Sequence, residues 1–343
     1  MQRARPPLSQ QVREHSQKPV NFDPATAYRG NTERMISTGS TLLDLAISGG
    51  RVHGGGLPGG ILVEIFGPSG CGKTVLLCEI AGAIQRQGGQ VMFHDPEARL
   101  NQQFAKMFRL DVKKMEYGMP DTVPKVFQAV REWKPEGDNI QGVFADSLAA
   151  LTTDWELEDK DKHGMRRAKE FSEQLRLTCR VLRQKGYLMV CSNQIRQNLD
   201  AGPYGQKYIS PGGEAIGFYS SLRLRCQRPQ KIKKKSETTE RVIGVTVEVE
   251  VFKSSIWKPF HTAPMTIVFD YGIDDIRENL RFVKEQGQNT LYTAGEQRLS
   301  QHLEKAIHKV EEEGLEEKLR GEVITLWTEL EKQFESKRKE KQG

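Results

Sequence analysis

Residues 67–74 read Gly-Pro-Ser-Gly-Cys-Gly-Lys-Thr, between the apolar run Ile-Leu-Val-Glu-Ile-Phe at 61–66 and a helical pattern over 75–86. Glycines at such a turn let backbone N–H groups converge on an anion, and the dipole of the following helix adds positive potential. The spacing therefore predicts a phosphate-binding loop, with Lys73 reaching the β- and γ-phosphates and Thr74 binding Mg²⁺. A plain glycine-rich turn is the alternative, which the flanking strand and helix disfavour. The residues expected to contact the nucleotide are Gly67, Pro68, Ser69, Gly70, Cys71, Gly72, Lys73 and Thr74.

Composition limits the class of protein. The 343 residues suffice for one large domain and a smaller one, and 37% hydrophobic with 28% charged residues is typical of a soluble globular chain. The sequence contains no apolar run near the roughly 20 residues that span a bilayer, and no apolar stretch follows the first basic residues, so we expect a cytoplasmic protein without membrane contact. Five cysteines without CxxC spacing argue against a zinc site and a disulfide framework.

Short apolar runs alternate with helical periodicities from Ile36 to about Tyr271, which predicts an α/β fold with a mostly parallel sheet flanked by helices. Predicted strands cover 61–66, 90–95, 142–147, 187–191, 222–226, 242–252 and 265–269, and predicted helices cover 75–86, the region of 104, 122–133 and 171–182. We expect four parts: an N-terminal arm (1–36), a core (37–273), a small α-rich domain (274–335) and a basic tail (336–343).

Carboxylates follow two of the predicted strands. Asp146 ends the run Val143-Phe144-Ala145, the form of a Walker B strand, and is expected to hold Mg²⁺ through water beside Thr74. Asp95 and Glu97 follow the second strand, at the sheet edge where a water-orienting carboxylate belongs. A helix cap or a turn residue is the alternative for either.

Two stretches without regular pattern, about 152–165 and 195–213, have the length of functional or disordered loops. The first leads into a helix with Arg166, Lys169 and Arg176, and the second carries Arg196, Lys207 and two tyrosines. Cations interleaved with aromatic rings suit a nucleic-acid backbone and its unstacked bases, which favours DNA binding, although a basic helix face is often merely solvated. The run Lys-Ile-Lys-Lys-Lys at 231–235 predicts a further basic site at a hairpin tip.

The N-terminal arm has one apolar feature, Phe22-Asp23-Pro24-Ala25. Phe22 with Ala25 three positions on fits an extended segment that inserts into a pocket of a neighbouring subunit. The alternative is that Phe22 attaches the arm to its own domain.

Several motifs together resemble the RecA recombinase family in order and spacing. They are Ser37-Thr38-Gly39-Ser40 with Leu42-Leu43-Asp44, residues 67–74, Asp146-Ser147-Leu148-Ala149-Ala150-Leu151-Thr152, Ser192-Asn193-Gln194-Ile195-Arg196, and Gly212-Gly213 through Phe218-Tyr219. The resemblance spans roughly 36–335 and implies a RecA-type P-loop ATPase core with a small C-terminal domain.

The resemblance also implies roles for individual residues. Glu97 falls at the catalytic glutamate, with Lys73 assisting, Asp95 supporting and Gln194 sensing the γ-phosphate. Phe104 lies where an aromatic ring stacks on adenine, Asn101 lies near the adenine edge, and Lys253 matches a lysine that reaches the ATP of the adjacent subunit. The family's DNA-binding positions correspond to Arg166, Lys169, Arg176, Arg196, Leu199, Tyr204, Lys207, Gly212 and Gly213.

The chain also departs from the bacterial pattern. Ser255 stands where a second interface lysine is expected, with Lys258 nearby, and Gly217 replaces a lysine before the phenylalanine. Phe22 and Ala25 resemble the Phe-x-x-Ala polymerisation motif of eukaryotic and archaeal members, and the C-terminal tail is basic rather than acidic.

The family implies a function with ATP and Mg²⁺ as cofactors. We expect a DNA-dependent ATPase that forms a helical homo-oligomeric filament on single-stranded DNA, pairs it with homologous double-stranded DNA and exchanges strands. A ring helicase and a paralogue that loads or regulates another recombinase are the alternatives.

Overall fold

A computed structural model describes residues 34–49, 54–151, 165–194, 196–197, 208–209, 214–336 and 338. Its α-helices are α1 Thr41–Ser48, α2 Lys73–Arg86, α3 Gln102–Met107, α4 Val123–Glu132, α5 Met165–Lys185, α6 Glu214–Tyr219, α7 Asp275–Gln286, α8 Leu303–Glu313 and α9 Glu316–Gln333. Its strands are β1 Leu62–Gly67, β2 Val91–His94, β3 Met115–Gly118, β4 Gly142–Ala145, β5 Leu188–Gln194, β6 Arg196–Gln197, β7 Tyr208–Ile209, β8 Leu222–Cys226, β9 Gln230–Ser236, β10 Thr239–Ser254, β11 Thr262–Val268, β12 Gly272–Ile273, β13 Tyr292–Ala294 and β14 Gln297–Ser300.

One ten-stranded mixed sheet organises the fold. Its order is β12-β11-β10-β8-β1-β5-β4-β2-β3, with β9 paired to β10. The strands from β8 to β3 pair in parallel, whereas β10 pairs antiparallel with β8, β9 and β11. The α/β fold class and the mostly parallel sheet predicted from sequence are confirmed. The carboxyl ends of β1, β2, β4 and β5 consequently meet at one edge, where ligands bind in open α/β sheets.

Alternation along the central strands separates two buried clusters. Phe144 of β4 and Val190 of β5 join the cluster that also contains α1 and α2 side chains. Val143 and Met189, one position earlier on each strand, join the opposite cluster with side chains of α4 and α5. Because successive side chains of a strand face opposite sides of the sheet, both faces are covered and the strands read as continuous apolar runs.

The C-terminal segment packs against the sheet on the α1 and α2 side. Buried Leu280, Val310 and Trp327 belong to the same apolar cluster as Val63 of β1. The segment contains the small antiparallel pair β13–β14 in addition to its helices. In the described part of the chain, no helix has the length and apolar character needed to cross a membrane.

The expectation that Lys231–Lys235 sit at a hairpin tip is wrong. These residues lie inside β9, which pairs along its length with the start of β10, and the turn falls at 237–238. The hairpin is longer than predicted because β10 begins at Thr239, before the β-branched run at 242. The lysines are therefore displayed along an exposed strand rather than at a turn.

Candidate nucleotide site

The phosphate loop connects β1 to α2 at the carboxyl edge of the sheet. Gly70 and Gly72 adopt φ values of 75° and 84°, in the left-handed region that favours glycine. A Cβ on Gly72 would lie 2.3 Å from Ile267 Cδ1, and one on Gly67 would lie 2.4 Å from the Cys226 carbonyl oxygen. The loop therefore needs glycine for its backbone shape and also for the space around it. Gly72, which caps α2, leaves the first N–H groups of a fourteen-residue helix facing the loop.

Lys73 lies buried at the base of the loop. Its Nζ donates to the carbonyl oxygens of Gly67 at 3.1 Å and Pro68 at 2.8 Å, and lies 3.8 Å from Cys71 Sγ. The ammonium group is thus held by the loop's own backbone. The hydrogen bond with Cys226 and the nearby Lys73 charge together lower the pKa of the Cys71 thiol to about 7, although burial opposes them.

Two oxygen ligands suited to Mg²⁺ meet beside the loop. Thr74 Oγ1 donates to Asp146 Oδ2 at 2.6 Å, and Ser192 Oγ donates to Asp146 Oδ1. Mg²⁺ prefers oxygen donors and usually takes only one or two from protein, with the rest from phosphates and water. The Thr74–Asp146 pair fits that donor set, and among the described residues no group of three or more His, Cys, Asp or Glu offers another.

A cavity of about 320 Å³ opens over the loop. Its lining includes Lys73, Thr74, Asp146 and Gln194 together with Phe104 and the segment 267–270. The ring of Phe104 packs edge-on against Phe108 with centroids 4.9 Å apart. The cavity therefore combines apolar side chains, including an aromatic ring, with polar groups suited to phosphate and Mg²⁺.

Asn101 takes a position outside the cavity lining. It caps α3, where its Oδ1 accepts from the Phe104 backbone N–H at 2.7 Å. In this structure its side chain fixes the helix that carries Phe104, and the expected adenine contact stays a prediction.

The two candidate carboxylates after β2 have different partners. Asp95, 1% exposed, accepts from the Leu100 backbone N–H at 2.8 Å and from the Tyr117 hydroxyl at 2.9 Å, so it braces the loop. Burial and this hydrogen bond raise the pKa of Tyr117 to about 12. Glu97 instead pairs with Arg99: Nη2 donates to Oε1 at 3.1 Å, and Nε lies 3.1 Å from Oε2. Sequence reasoning missed Arg99, which lines the cavity.

Lys253 of β10 binds within its own chain. Its Nζ donates to the carbonyl oxygens of Gly217 at 2.8 Å and Phe218 at 2.9 Å, at the end of α6. Burial and the neighbouring Arg223 charge lower its pKa. Ser255 donates to the Ser221 carbonyl oxygen, and Lys258 pairs with Glu331 at 3.1 Å. Lys258 is therefore engaged with the C-terminal segment.

The expected DNA-binding residues are only partly described. Lys169 is exposed on α5, and further along that helix Arg176 lines a shallow groove with Arg180, Arg183 and Tyr219. Arg166 lies on α5 and Arg196 on β6, and their side chains lie outside the described part of the structure. The remaining predicted positions, Phe22, Ala25, Leu199, Tyr204, Lys207, Gly212 and Gly213, lie outside the described residues.

Comparisons with known proteins give one consistent result. Residues 27–274 match the family model of the RecA N-terminal domain. The chain is 33% identical over 298 residues to Protein RecA of Thermus aquaticus, covering 84% of each, and 30% identical over 285 residues to Protein RecA of Acholeplasma laidlawii strain PG-8A, covering 81% and 82%. A crystal structure of the RadB recombinase superposes with a TM-score of 0.50 at 20% identity, covering 70% of this chain and 98% of that one.

Proposed function

The chain belongs to the RecA family of recombinases, and from this premise we propose that it is a DNA-dependent ATPase that assembles as a helical filament on single-stranded DNA. Within that filament it pairs the bound strand with homologous duplex DNA and exchanges strands. The observation that carries the proposal is the meeting of Lys73, Thr74, Asp146 and Gln194 around one cavity at the carboxyl edge of the sheet.

In the proposed reaction, the loop N–H groups and Lys73 bind the β- and γ-phosphates of ATP. Lys73 moves from the Gly67 and Pro68 carbonyl oxygens to the phosphates, a short displacement within the same loop. Thr74 and Asp146 would hold Mg²⁺, which neutralises charge that develops on the transferred phosphoryl group. Glu97 accepts a hydrogen bond from the attacking water and orients it.

Coupling to DNA is proposed to pass through β5. Gln194, the last residue of β5, lines the cavity, and the chain continues directly into the segment 195–213 that carries Arg196 and Lys207. A side chain that contacts the terminal phosphate at this position shares its backbone with the start of the DNA-binding loop. Nucleotide state and DNA affinity are then linked, and linkage works in both directions.

Filament assembly is proposed to complete the nucleotide site. Lys253 is expected to leave the Gly217 and Phe218 carbonyl oxygens and reach the phosphates of ATP in the adjacent subunit. Its pKa is lowered by burial and by Arg223, so a phosphate partner relieves an unfavourable position for the charge. Phe22 and Ala25 would join neighbouring subunits.

Electron microscopy of the purified protein with ATP, Mg²⁺ and single-stranded DNA, together with a joint-molecule assay using homologous duplex, tests the proposal. We expect helical filaments and joint molecules, and a Glu97→Gln variant that forms filaments but hydrolyses ATP at least about a hundredfold more slowly. Closed rings that unwind forked DNA would instead identify a helicase. Unchanged turnover in Glu97→Gln, with stimulation of another recombinase, would identify a regulatory paralogue.

A further inference from the structure

The loop after β2 brings a cation and the candidate catalytic carboxylate together. Between Glu97 and Arg99, Ala98 adopts φ 50°, and its N–H donates to the Asp95 carbonyl oxygen at 3.0 Å. The loop is braced at Leu100 by the buried Asp95 carboxylate. Its geometry is therefore fixed at both ends, and the guanidinium group faces both carboxylate oxygens of Glu97 at 3.1 Å.

This pairing conflicts with the chemistry expected of Glu97. A carboxylate that orients a water molecule must offer a free oxygen lone pair in the direction of that water. In the structure Glu97 Oε1 accepts from Arg99 Nη2, Oε2 lies 3.1 Å from Arg99 Nε without making a hydrogen bond, and Glu97 lies outside the cavity lining. The ion pair thus holds the Glu97 carboxylate outside the cavity in which the terminal phosphate and its attacking water would lie.

Arg99 has an alternative partner close by. It lines the same cavity as Lys73, Thr74 and Gln194, and its side chain is 53% exposed, so it changes partners without leaving a buried site. Guanidinium groups bind phosphate oxygens with the same two-pronged geometry that they use for carboxylates. A terminal phosphate also carries more negative charge than one carboxylate, so it competes well for the cation.

Resting on the proposed ATPase function, we propose that Arg99 binds the terminal phosphate of ATP and exchanges between that phosphate and Glu97 during the nucleotide cycle. With a diphosphate, or without nucleotide, its guanidinium holds Glu97. With a triphosphate, the guanidinium binds the terminal phosphate and leaves the Glu97 carboxylate to accept from the attacking water. When the terminal phosphate departs, Arg99 returns to Glu97, so hydrolysis requires a triphosphate to be seated first.

Partner exchange by Arg99 predicts changes in nucleotide affinity that would not occur if Arg99 only stabilised the loop. Triphosphate binding must break the Arg99–Glu97 pair, whereas diphosphate binding leaves it intact. Weakening the pair from the Glu97 side therefore strengthens triphosphate binding alone. Removing Arg99 weakens triphosphate binding alone, and it also abolishes any effect of a change at Glu97.

Isothermal titration with ADP and with a slowly hydrolysed ATP analogue, each with Mg²⁺, tests this in four proteins: the parent chain, Glu97→Gln, Arg99→Ala and the double variant. We expect Glu97→Gln to bind the analogue several-fold more tightly with ADP affinity unchanged. Arg99→Ala is expected to lose about tenfold in analogue affinity, again without change for ADP. In the double variant, the Glu97→Gln gain disappears.

Two control variants distinguish partner exchange by Arg99 from a general effect of positive charge near the cavity. Lys106→Ala removes a cation from exposed positions of α3, outside the cavity lining, and is expected to leave the ratio of the two affinities unchanged. Arg99→Lys keeps the charge without the two-pronged geometry and should recover part of the analogue affinity. Thermal melting of each variant verifies folding.

Equal changes in ADP and analogue affinity on Arg99→Ala would refute partner exchange and indicate loop support. Persistence of the Glu97→Gln gain in the double variant would refute it as well. A parent chain that binds neither nucleotide would refute the proposed ATPase function, and the inference with it.

Discussion

Replacing Arg223 of β8 with methionine should destabilise the fold by removing a cation that pairs with a buried carboxylate. Glu64 of β1 is 0% exposed, and its Oε2 accepts from Arg223 Nε at 2.6 Å while its Oε1 accepts from Asn193 Nδ2 at 3.1 Å. Removing one partner of a buried ion pair costs about 3–5 kcal/mol. Methionine keeps much of the apolar contact that the Arg223 side chain makes over the Phe66 ring, so the charge dominates the loss.

We expect the free energy of unfolding of Arg223→Met to fall by about 4 kcal/mol, within the range for a buried ion pair that loses one partner.

Urea unfolding followed by tryptophan fluorescence measures this loss. The double variant Glu64→Gln with Arg223→Met has no charge to bury and should be more stable than Arg223→Met alone, while Arg223→Lys should retain part of the stability. A loss below about 1 kcal/mol, or a double variant whose loss equals the sum of the two single losses, would refute the reasoning.

Further predictions concern the loop and its surroundings. Burial lowers the pKa of His94 to about 4, so the folded state loses stability as the pH falls from ~6.5 towards 4, by about 3 kcal/mol in total, and His94→Gln should flatten a plot of unfolding free energy against pH. Gly72→Ala should lower both melting temperature and nucleotide affinity more than Gly70→Ala, because both glycines have positive φ but a Cβ at Gly70 meets no described atom within 4 Å; equal losses would contradict the steric argument. Because Cys71 is fully buried, ultraviolet absorbance of its thiolate, taken as the difference between the parent chain and Cys71→Ala, should rise with pH around 7 rather than 9, and Cys226→Ala should move that midpoint upwards.

The sheet edge was predictable because its strands are buried on both faces. β1 and β5 are short, largely apolar runs that end in Gly67 and Gln194, Asp146 directly follows β4, and parallel pairing brings these ends together. The same reasoning explains why the sequence did not predict two elements, α1 and β3. All eight residues of α1 are buried, so the helix has no polar face to give a period. β3 is a short edge strand, Met-Glu-Tyr-Gly, whose partly exposed residues lack an apolar run.

Other features depend on backbone conformation and tertiary packing that the sequence pattern does not predict. The contact between Arg99 and Glu97 requires the left-handed backbone at Ala98, a conformation that alanine rarely adopts. Lysine has low strand propensity, yet the lysines of β9 lie in a strand. They adopt this conformation because the β9 backbone pairs with the first part of β10. The retention of Lys253 by the Gly217 and Phe218 carbonyl oxygens depends on tertiary packing alone.

The last three residues of β5 contact different parts of the candidate site and of the buried core. Ser192 donates to Asp146 beside the loop and Gln194 lines the cavity, whereas Asn193, facing the other side of the strand, donates to Glu64. Three consecutive residues thus contact Asp146, the buried Glu64 carboxylate and the cavity over the loop.

Contacts of Glu64 extend through Arg223 to the surface where Lys253 lies. Its partner Arg223 sits directly against Gly217, since a Cβ there would lie 3.0 Å from Arg223 Nη1. A lysine at 217 would add a further cation beside the Arg223 guanidinium and the Lys253 ammonium group, so glycine at this position fits the ion pair beneath it. A continuous set of contacts thus runs from Asn193, next to Gln194, through Glu64 and Arg223 to Gly217, whose carbonyl oxygen holds Lys253.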